Sequence, residues 1–276
     1  MLEKMPVLRF LPVESLVVHE WHDEQRTPPL VARIQAMGVW RNPPIVTPLD
    51  DGSGRHMVLD GANRTTALRL MGYPHALVQV VHPDDPGLKL FNWNHVVWGL
   101  DPAEFLSAIR AIPELELESG ETHHPDLWGD CGLAMVQVRR GDLFAVCTDE
   151  KQLVARVRLL NALVDSYKDR AHLDRTSDWS VVRLIGTYAD LSGLVIFPRF
   201  DIQHVLSLVR AGCLLPTGIT RFTISPRALH INYPLDALAE DSPIEEKNAA
   251  LQGWLQERIT KKGVRYYAEA TYLFDE

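Results

Sequence analysis

Met57-Val58-Leu59-Asp60-Gly61-Ala62-Asn63-Arg64-Thr65-Thr66-Ala67-Leu68 decides how the first part of the chain folds. An apolar run ends in an acid and a glycine, and a polar trio then opens a helical pattern. Asp60 closes a short buried strand, and Gly61 permits a tight turn that a residue with a Cβ resists. From Asn63 onward, Ala67, Leu68, Leu70 and Met71 recur at helical spacing, and Gly72 supplies the stop. The helix so predicted points free backbone N–H groups beyond the strand end. Its terminus carries partial positive charge and Arg64 adds a full one, which suits an anion, phosphate above all. Taken alone, the stretch reads equally well as an ordinary strand-to-helix turn with Asp60 as a cap.

Outward from this turn, strands are expected at residues 8–11, 16–18, 44–47 and 76–81, with a helix over 28–37 ended by Gly38. Pro83-Asp84-Asp85-Pro86-Gly87 is the strongest punctuation in the chain and sets a boundary between a domain of residues 1–90 and one of residues 91–276. In the second part, helices are expected at 103–111, 151–163, 202–211 and 245–261, the last begun by Ser242-Pro243. A hairpin should join 135–138 to 143–146, and 194–197 reads as a buried strand. Residues 221–224 are expected to pair with 228–231, and the alternating stretch 264–273 to close the chain as a strand. The fold class is α+β, a small α/β N-terminal domain followed by a larger mixed α/β domain.

The chain has 276 residues, 46% of them hydrophobic and 23% charged, which is ordinary for a globular protein. No apolar run approaches a membrane span, and the first residues lack a signal-peptide core, so a cytoplasmic location without membrane association is expected. Cys131, Cys147 and Cys213 are few and widely spaced, which predicts buried thiols and no metal knuckle. The net charge of −8, with scattered Lys and Arg, argues against nucleic acid and for small-molecule partners.

Several residue groups carry potential chemistry. Glu20, in Val18-His19-Glu20-Trp21-His22, has the setting of a general base if a cleft desolvates it, although position alone favours a solvated loop residue. Arg41 precedes a strand and is within reach of a phosphate or carboxylate there, or lies on the surface. Phe91-Asn92-Trp93-Asn94-His95 interleaves aromatics, amides and a histidine just past the proposed boundary, where Trp93 can line a ligand cleft or pack a junction. In Pro216-Thr217-Gly218-Ile219-Thr220-Arg221-Phe222, glycine allows close backbone approach, Thr220 offers a hydroxyl and Arg221 a rigid fork for an anion. The same stretch also reads as a turn into a strand with its charge in solvent. Adjacent His123 and His124 lack a third ligand at useful spacing and read as loop residues, and the common phosphate-binding loops are absent.

Taken together, these pieces resemble a known family. The run from Val58 to Arg64, with its flanking strands and following helix, is similar to the nucleotide-binding motif of the ParB/sulfiredoxin superfamily, usually D-G-x-H-R. The likeness extends to the free L-serine kinases within it, including the SbnI-type enzymes of siderophore biosynthesis. The matching residues are Leu11-Pro12-Val13, His19-Glu20, Trp93-Asn94-His95, the stretch from Gly218 to Phe222, and Tyr272-Leu273. The resemblance implies phosphoryl transfer from ATP or ADP to the hydroxyl of free L-serine. Glu20 would be the catalytic base. Asp60, Gly61, Ala62, Asn63, Arg64 and Thr65 would hold the nucleotide phosphates with Mg²⁺. Trp93, His95, Thr220, Arg221 and Arg41 would bind the substrate. Asn63 departs from the family histidine: its amide donates a hydrogen bond but cannot become cationic. A ParB-like DNA-binding regulator and a metabolite sensor without catalysis are the competing readings. The first requires a basic recognition helix, for which the acidic helix at 245–261 is a poor candidate.

Overall fold

The computed structural model describes residues 5–22, 27–120 and 131–267. The N-terminal elements are β1 (Val7–Pro12), β2 (Leu16–Val18), α1 (Thr27–Met37), β3 (Val39–Trp40), β4 (Ile45–Pro48), β5 (His56–Asp60), α2 (Ala62–Leu70) and β6 (His75–Val80). Their mixed five-stranded sheet runs β1-β6-β4-β5-β2. Apart from the edge strand β1, where Val7 and Arg9 are exposed, both faces of this sheet are largely buried, and residues alternate between them as the two-residue period of a strand requires. Val46 and Val58 join one apolar cluster with Phe10, Trp40, Leu68 and Leu77, whereas Ile45, Met57 and Leu59 join another with the second half of the chain. The Trp40 indole spends its one donor on the Leu77 carbonyl at 3.0 Å.

The second half begins with β7 (Leu88–Asn92), β8 (Asn94–Trp98), α3 (Pro102–Arg110), β9 (Glu116–Ser119), β10 (Gly132–Val138), β11 (Leu143–Cys147), α4 (Leu153–Lys168) and β12 (His172–Thr176). It continues with β13 (Leu191–Ile196), α5 (Ile202–Arg210), β14 (Thr220–Ile224), β15 (Tyr233–Pro234), α6 (Leu235–Ala239) and α7 (Ile244–Thr260). A six-stranded sheet, ordered β12-β8-β13-β10-β11-β9, is antiparallel throughout, and the expected hairpin is its β10–β11 pair. Asp101 caps α3 by accepting from the N–H groups of Ala103 and Glu104, with Pro102 in the first turn, and Asp201 caps α5 through His204 N–H.

Several expectations are corrected. β14 pairs with β7, placing Thr220 opposite Asn92 and Ile224 opposite Leu88, and not with residues 228–231. That segment is claimed by the first sheet instead: Ala228 N–H donates to Gln79 Oε1, His230 N–H to Asn42 Oδ1 and Ile231 N–H to the Arg41 carbonyl. Residues 264–267 form no strand, and the rest of that expected strand lies outside the described residues, as do His123 and His124. Ser242 does not cap α7, where Pro243 occupies the cap position without a side-chain bond. Leu70 faces solvent rather than the core, and of the three thiols only that of Cys147 belongs to a fully buried residue.

The chain after residue 226 returns to the first sheet. Ala228, Tyr233, Leu235, Leu238 and Leu251 share a cluster with Phe10 and Trp40. α7 lies along the edge strand β1, where Asn248 accepts from Phe10 N–H at 2.9 Å and donates to the Phe10 carbonyl at 3.2 Å. One side chain thus imitates a neighbouring strand and satisfies an edge that would otherwise be open. The Lys247 ammonium, over the Phe10 ring, donates to the carbonyls of Leu238 and Glu240 at the end of α6. Asn248→Ala should cost about 1–3 kcal/mol, because it leaves both Phe10 backbone groups unpaired. Urea unfolding with an unchanged denaturant slope measures this, and a midpoint equal to wild type would show that water replaces the bridge.

Candidate active site

A cavity of about 1220 Å³ opens between the β5–α2 turn, the segment after β2, and the β7–β8 and β14 strands. It exceeds the roughly 300–1,000 Å³ of a typical single-ligand site, so a nucleotide and a second small molecule fit together. Seven basic residues line it (Arg33, Arg41, Arg64, Lys168, Arg175, Arg221, Arg227) against three acids (Glu20, Asp60, Asp169). In a chain of net charge −8 this concentrates positive potential where an anion would sit.

The turn at residues 60–64 is built as its composition requires. Gly61 holds φ +99°, and a Cβ there would stand 2.9 Å from the Arg64 guanidinium and 3.1 Å from Pro44 Cα. Glycine therefore lets Arg64 fold back across the turn. Asp60 does not cap α2: its Oδ2 accepts from Arg64 at 3.1 Å and pairs with Arg227. Because these side chains remain partly exposed, the pairs orient the guanidinium groups more than they stabilise the fold. Burial pulls the Arg64 pKa below its usual value, against the pull of Asp60. Arg64 Nε and Asn63 Oδ1 are buried without a partner, and Asp60 Oδ1 has none among the described residues. A donor beside the open end of α2 suits a phosphate. Two unpartnered hard oxygens in the same turn suit a magnesium ion shared with phosphate oxygens.

Glu20 lines the same cavity. Its backbone forms a bridge to Leu215: Trp21 N–H donates to the Leu215 carbonyl and Leu215 N–H to the His19 carbonyl. Its Oε2 accepts from the Thr220 hydroxyl at 2.9 Å. The β7–β14 pairing brings Trp93 and Arg221 together, the guanidinium lying 4.6 Å from the indole centroid. Of the residues singled out in the sequence, Glu20, Asp60, Gly61, Ala62, Asn63, Arg64, Trp93, His95, Thr220, Arg221 and Arg41 all line this one cavity.

Thr65 does not. It is fully buried, with its hydroxyl and its N–H both turned to the Gly61 carbonyl, so it braces the turn from behind. His95 reaches the wall with both ring nitrogens occupied. Nε2 lies 3.1 Å from the Thr217 carbonyl, which can only accept, so Nε2 carries the hydrogen and Nδ1 accepts from the Tyr167 hydroxyl. The ring therefore fixes the loop before β14. Sequence reading missed Arg227, which meets Asp60 from 167 positions away, and gave His19 no role, although His19-Glu20 is among the matching residues. Nothing local marks Arg227, whereas the apolar strand leading into His19 was a usable sign of burial.

Burial pushes the His95 pKa down to about 4 from its ordinary 6.5, with Arg175 adding to the shift against the two backbone bonds. The unfolded chain therefore binds a proton between these values that the folded protein refuses. Stability is complete above about pH 6.5 and falls toward pH 4, by up to about 1.4 kcal/mol per unit and about 3 in all. Urea unfolding at pH 7.5 and 4.5 should show a smaller loss in His95→Gln than in wild type. Parallel losses would remove His95 as the cause.

No family model matches the chain. It is 26% identical over 277 residues to the ATP-dependent L-serine kinase SbnI of Staphylococcus aureus (strain NCTC 8325 / PS 47), covering 98% of this chain and 97% of that protein. Among solved structures, C-terminally truncated SbnI from Staphylococcus aureus superimposes with a TM-score of 0.71 at 24% identity, covering 92% of this chain and 97% of that one. A free serine kinase in complex with AMP gives 0.70 at 14% identity, covering 85% and 95%. A glutamate-to-alanine variant of a free serine kinase in complex with ADP gives 0.71 at 14%, covering 86% and 95%. The mixed α/β fold is therefore shared with these proteins.

Proposed function

We propose that this protein is a kinase of the ParB/sulfiredoxin-like class that transfers a phosphoryl group from ATP or ADP to the hydroxyl of free L-serine, giving O-phospho-L-serine. The observation that carries the reading is one cavity lined by Glu20, by the turn at residues 60–64 and by seven basic residues. The full-length likeness to a protein named an L-serine kinase, and the AMP and ADP complexes of its structural neighbours, support the same reading. The protein is read as a cytoplasmic enzyme with small-molecule substrates.

In this reading residues 1–90 hold the nucleotide and residues 91–276 complete the amino-acid site. The N–H groups of Ala62, Asn63 and Arg64 and the Arg64 guanidinium bind phosphate oxygens. Asp60 and Asn63 would hold Mg²⁺ with those phosphates, and the ion would supply charge neutralisation of the transferring group. Arg221, braced on Trp93, offers two parallel N–H donors to the serine carboxylate, and Arg41 adds charge to the same space. Glu20 accepts the proton of the serine hydroxyl as that oxygen attacks phosphorus. Positioning and electrostatics carry most of phosphoryl transfer, so this set suffices for the reaction.

Glu20→Gln keeps the shape and removes the base. It should lower kcat about 10²–10⁴-fold, while nucleotide affinity measured by calorimetry stays within about threefold. Turnover at the wild-type rate in this variant would remove Glu20 from the mechanism.

A further inference from the structure

Three short contacts run from the core to Glu20. His19 is buried, with Nδ1 2.7 Å from the Val58 carbonyl and Nε2 2.6 Å from Thr220 Oγ1. Thr220 Oγ1 is in turn 2.9 Å from Glu20 Oε2. The hydrogens on this chain can be counted. The Val58 carbonyl only accepts, so Nδ1 carries a hydrogen. The threonine hydroxyl has one hydrogen to give. If it goes to the Glu20 carboxylate, Nε2 must donate to Oγ1, and the ring holds two hydrogens. If it goes to Nε2, Oγ1 and Oε2 meet as two acceptors unless the carboxyl itself is protonated. With a neutral ring and an ionised carboxylate, one of the three contacts sets lone pair against lone pair, which a buried site penalises heavily. The histidine and the glutamate therefore retain one proton between them beyond the hydrogen on Nδ1.

A general base must be ionised, which places that proton on the ring. We propose that His19 is an imidazolium that positions Glu20 through the Thr220 hydroxyl, holding the carboxylate ionised with Oε2 occupied and Oε1 left to take the acceptor's proton. The proposal rests on the role given to Glu20 above. During transfer, the bond from the leaving nucleotide oxygen to phosphorus breaks and the bond from the serine oxygen forms. The hydroxyl proton passes to Oε1. His19 keeps both hydrogens throughout, because a protonated Glu20 still accepts from Thr220 at Oε2, and the carboxyl proton leaves to water with the product. His19 lies in the cavity wall with both ring nitrogens engaged, by the Val58 carbonyl and Thr220, and its other neighbours are the edge-on Phe222 ring and Glu20 at 3.8 Å.

Nitrogen-15 NMR of the ligand-free protein at pH 7 reads the ring directly. Hydrogens on both His19 nitrogens are expected in wild type, and on one only in Thr220→Val; a single hydrogen in wild type overturns the proposal. In turnover, His19→Gln retains a donor to Thr220 without the charge, and kcat should fall about tenfold to a hundredfold with both KM values within about threefold. The double variant His19→Gln/Thr220→Val should be no slower than Thr220→Val alone. Full kcat in His19→Gln, or a further loss in the double variant, also overturns it. If wild type phosphorylates no serine, the kinase reading fails, while the NMR result still decides the state of His19.

Discussion

The segment from Leu215 to Ile224 belongs to two structures at once, and the site depends on it. At Leu215 its backbone is bonded to His19 and Trp21, at the end of the first sheet. From Thr220 to Ile224 it pairs with β7, the strand that leads into the second sheet. Between these anchors, Thr220 bonds Glu20 and His19, and Thr217 bonds His95. Glu20 and the 60–64 turn therefore share one cavity as a consequence of strand pairing. A loop of the same composition without those pairings would pay the ordering cost of each side chain separately.

Electrostatics then assigns two carboxylates of the cavity different tasks. Arg64 and Arg227 converge on one oxygen of Asp60, so this acid organises the positive end rather than cancelling it. Glu20, lining the same cavity, meets the Thr220 hydroxyl directly, with the His19 ring 3.8 Å away behind it. That contrast fits one carboxylate for phosphate chemistry and another for proton transfer. The same logic separates His19 from His95. The contacts of His95 are satisfied by a neutral ring, whereas those of His19 require an additional proton on the His19–Glu20 pair.

Much of the fold was legible wherever a signal is local. The strand, glycine turn and helix at residues 57–70 follow from apolar periodicity and a glycine with positive φ. Partners distant in sequence were not legible. The stretch at 228–231 is apolar enough for a strand, and only Gln79, Asn42 and Arg41 determine that it follows the first sheet. β12 escaped notice because His172-Leu173-Asp174-Arg175-Thr176 is a polar edge strand with little to bury. At the site, Glu20, Trp93, Thr220 and Arg221 were identified through a resemblance to known kinases, since position alone left each of them open. Thr65 was assigned to the wrong side of its turn because helical phase does not reveal which hydroxyl faces the backbone.

The central claim is serine-dependent phosphoryl transfer, and ³¹P NMR observes it without coupling enzymes. Purified protein would be incubated with Mg²⁺ and L-serine, with ATP in one sample and ADP in another. The account predicts a phosphomonoester resonance that requires serine and identifies the donor nucleotide. Nucleotide consumed at the same rate without serine, or bound and left intact with it, would contradict the account.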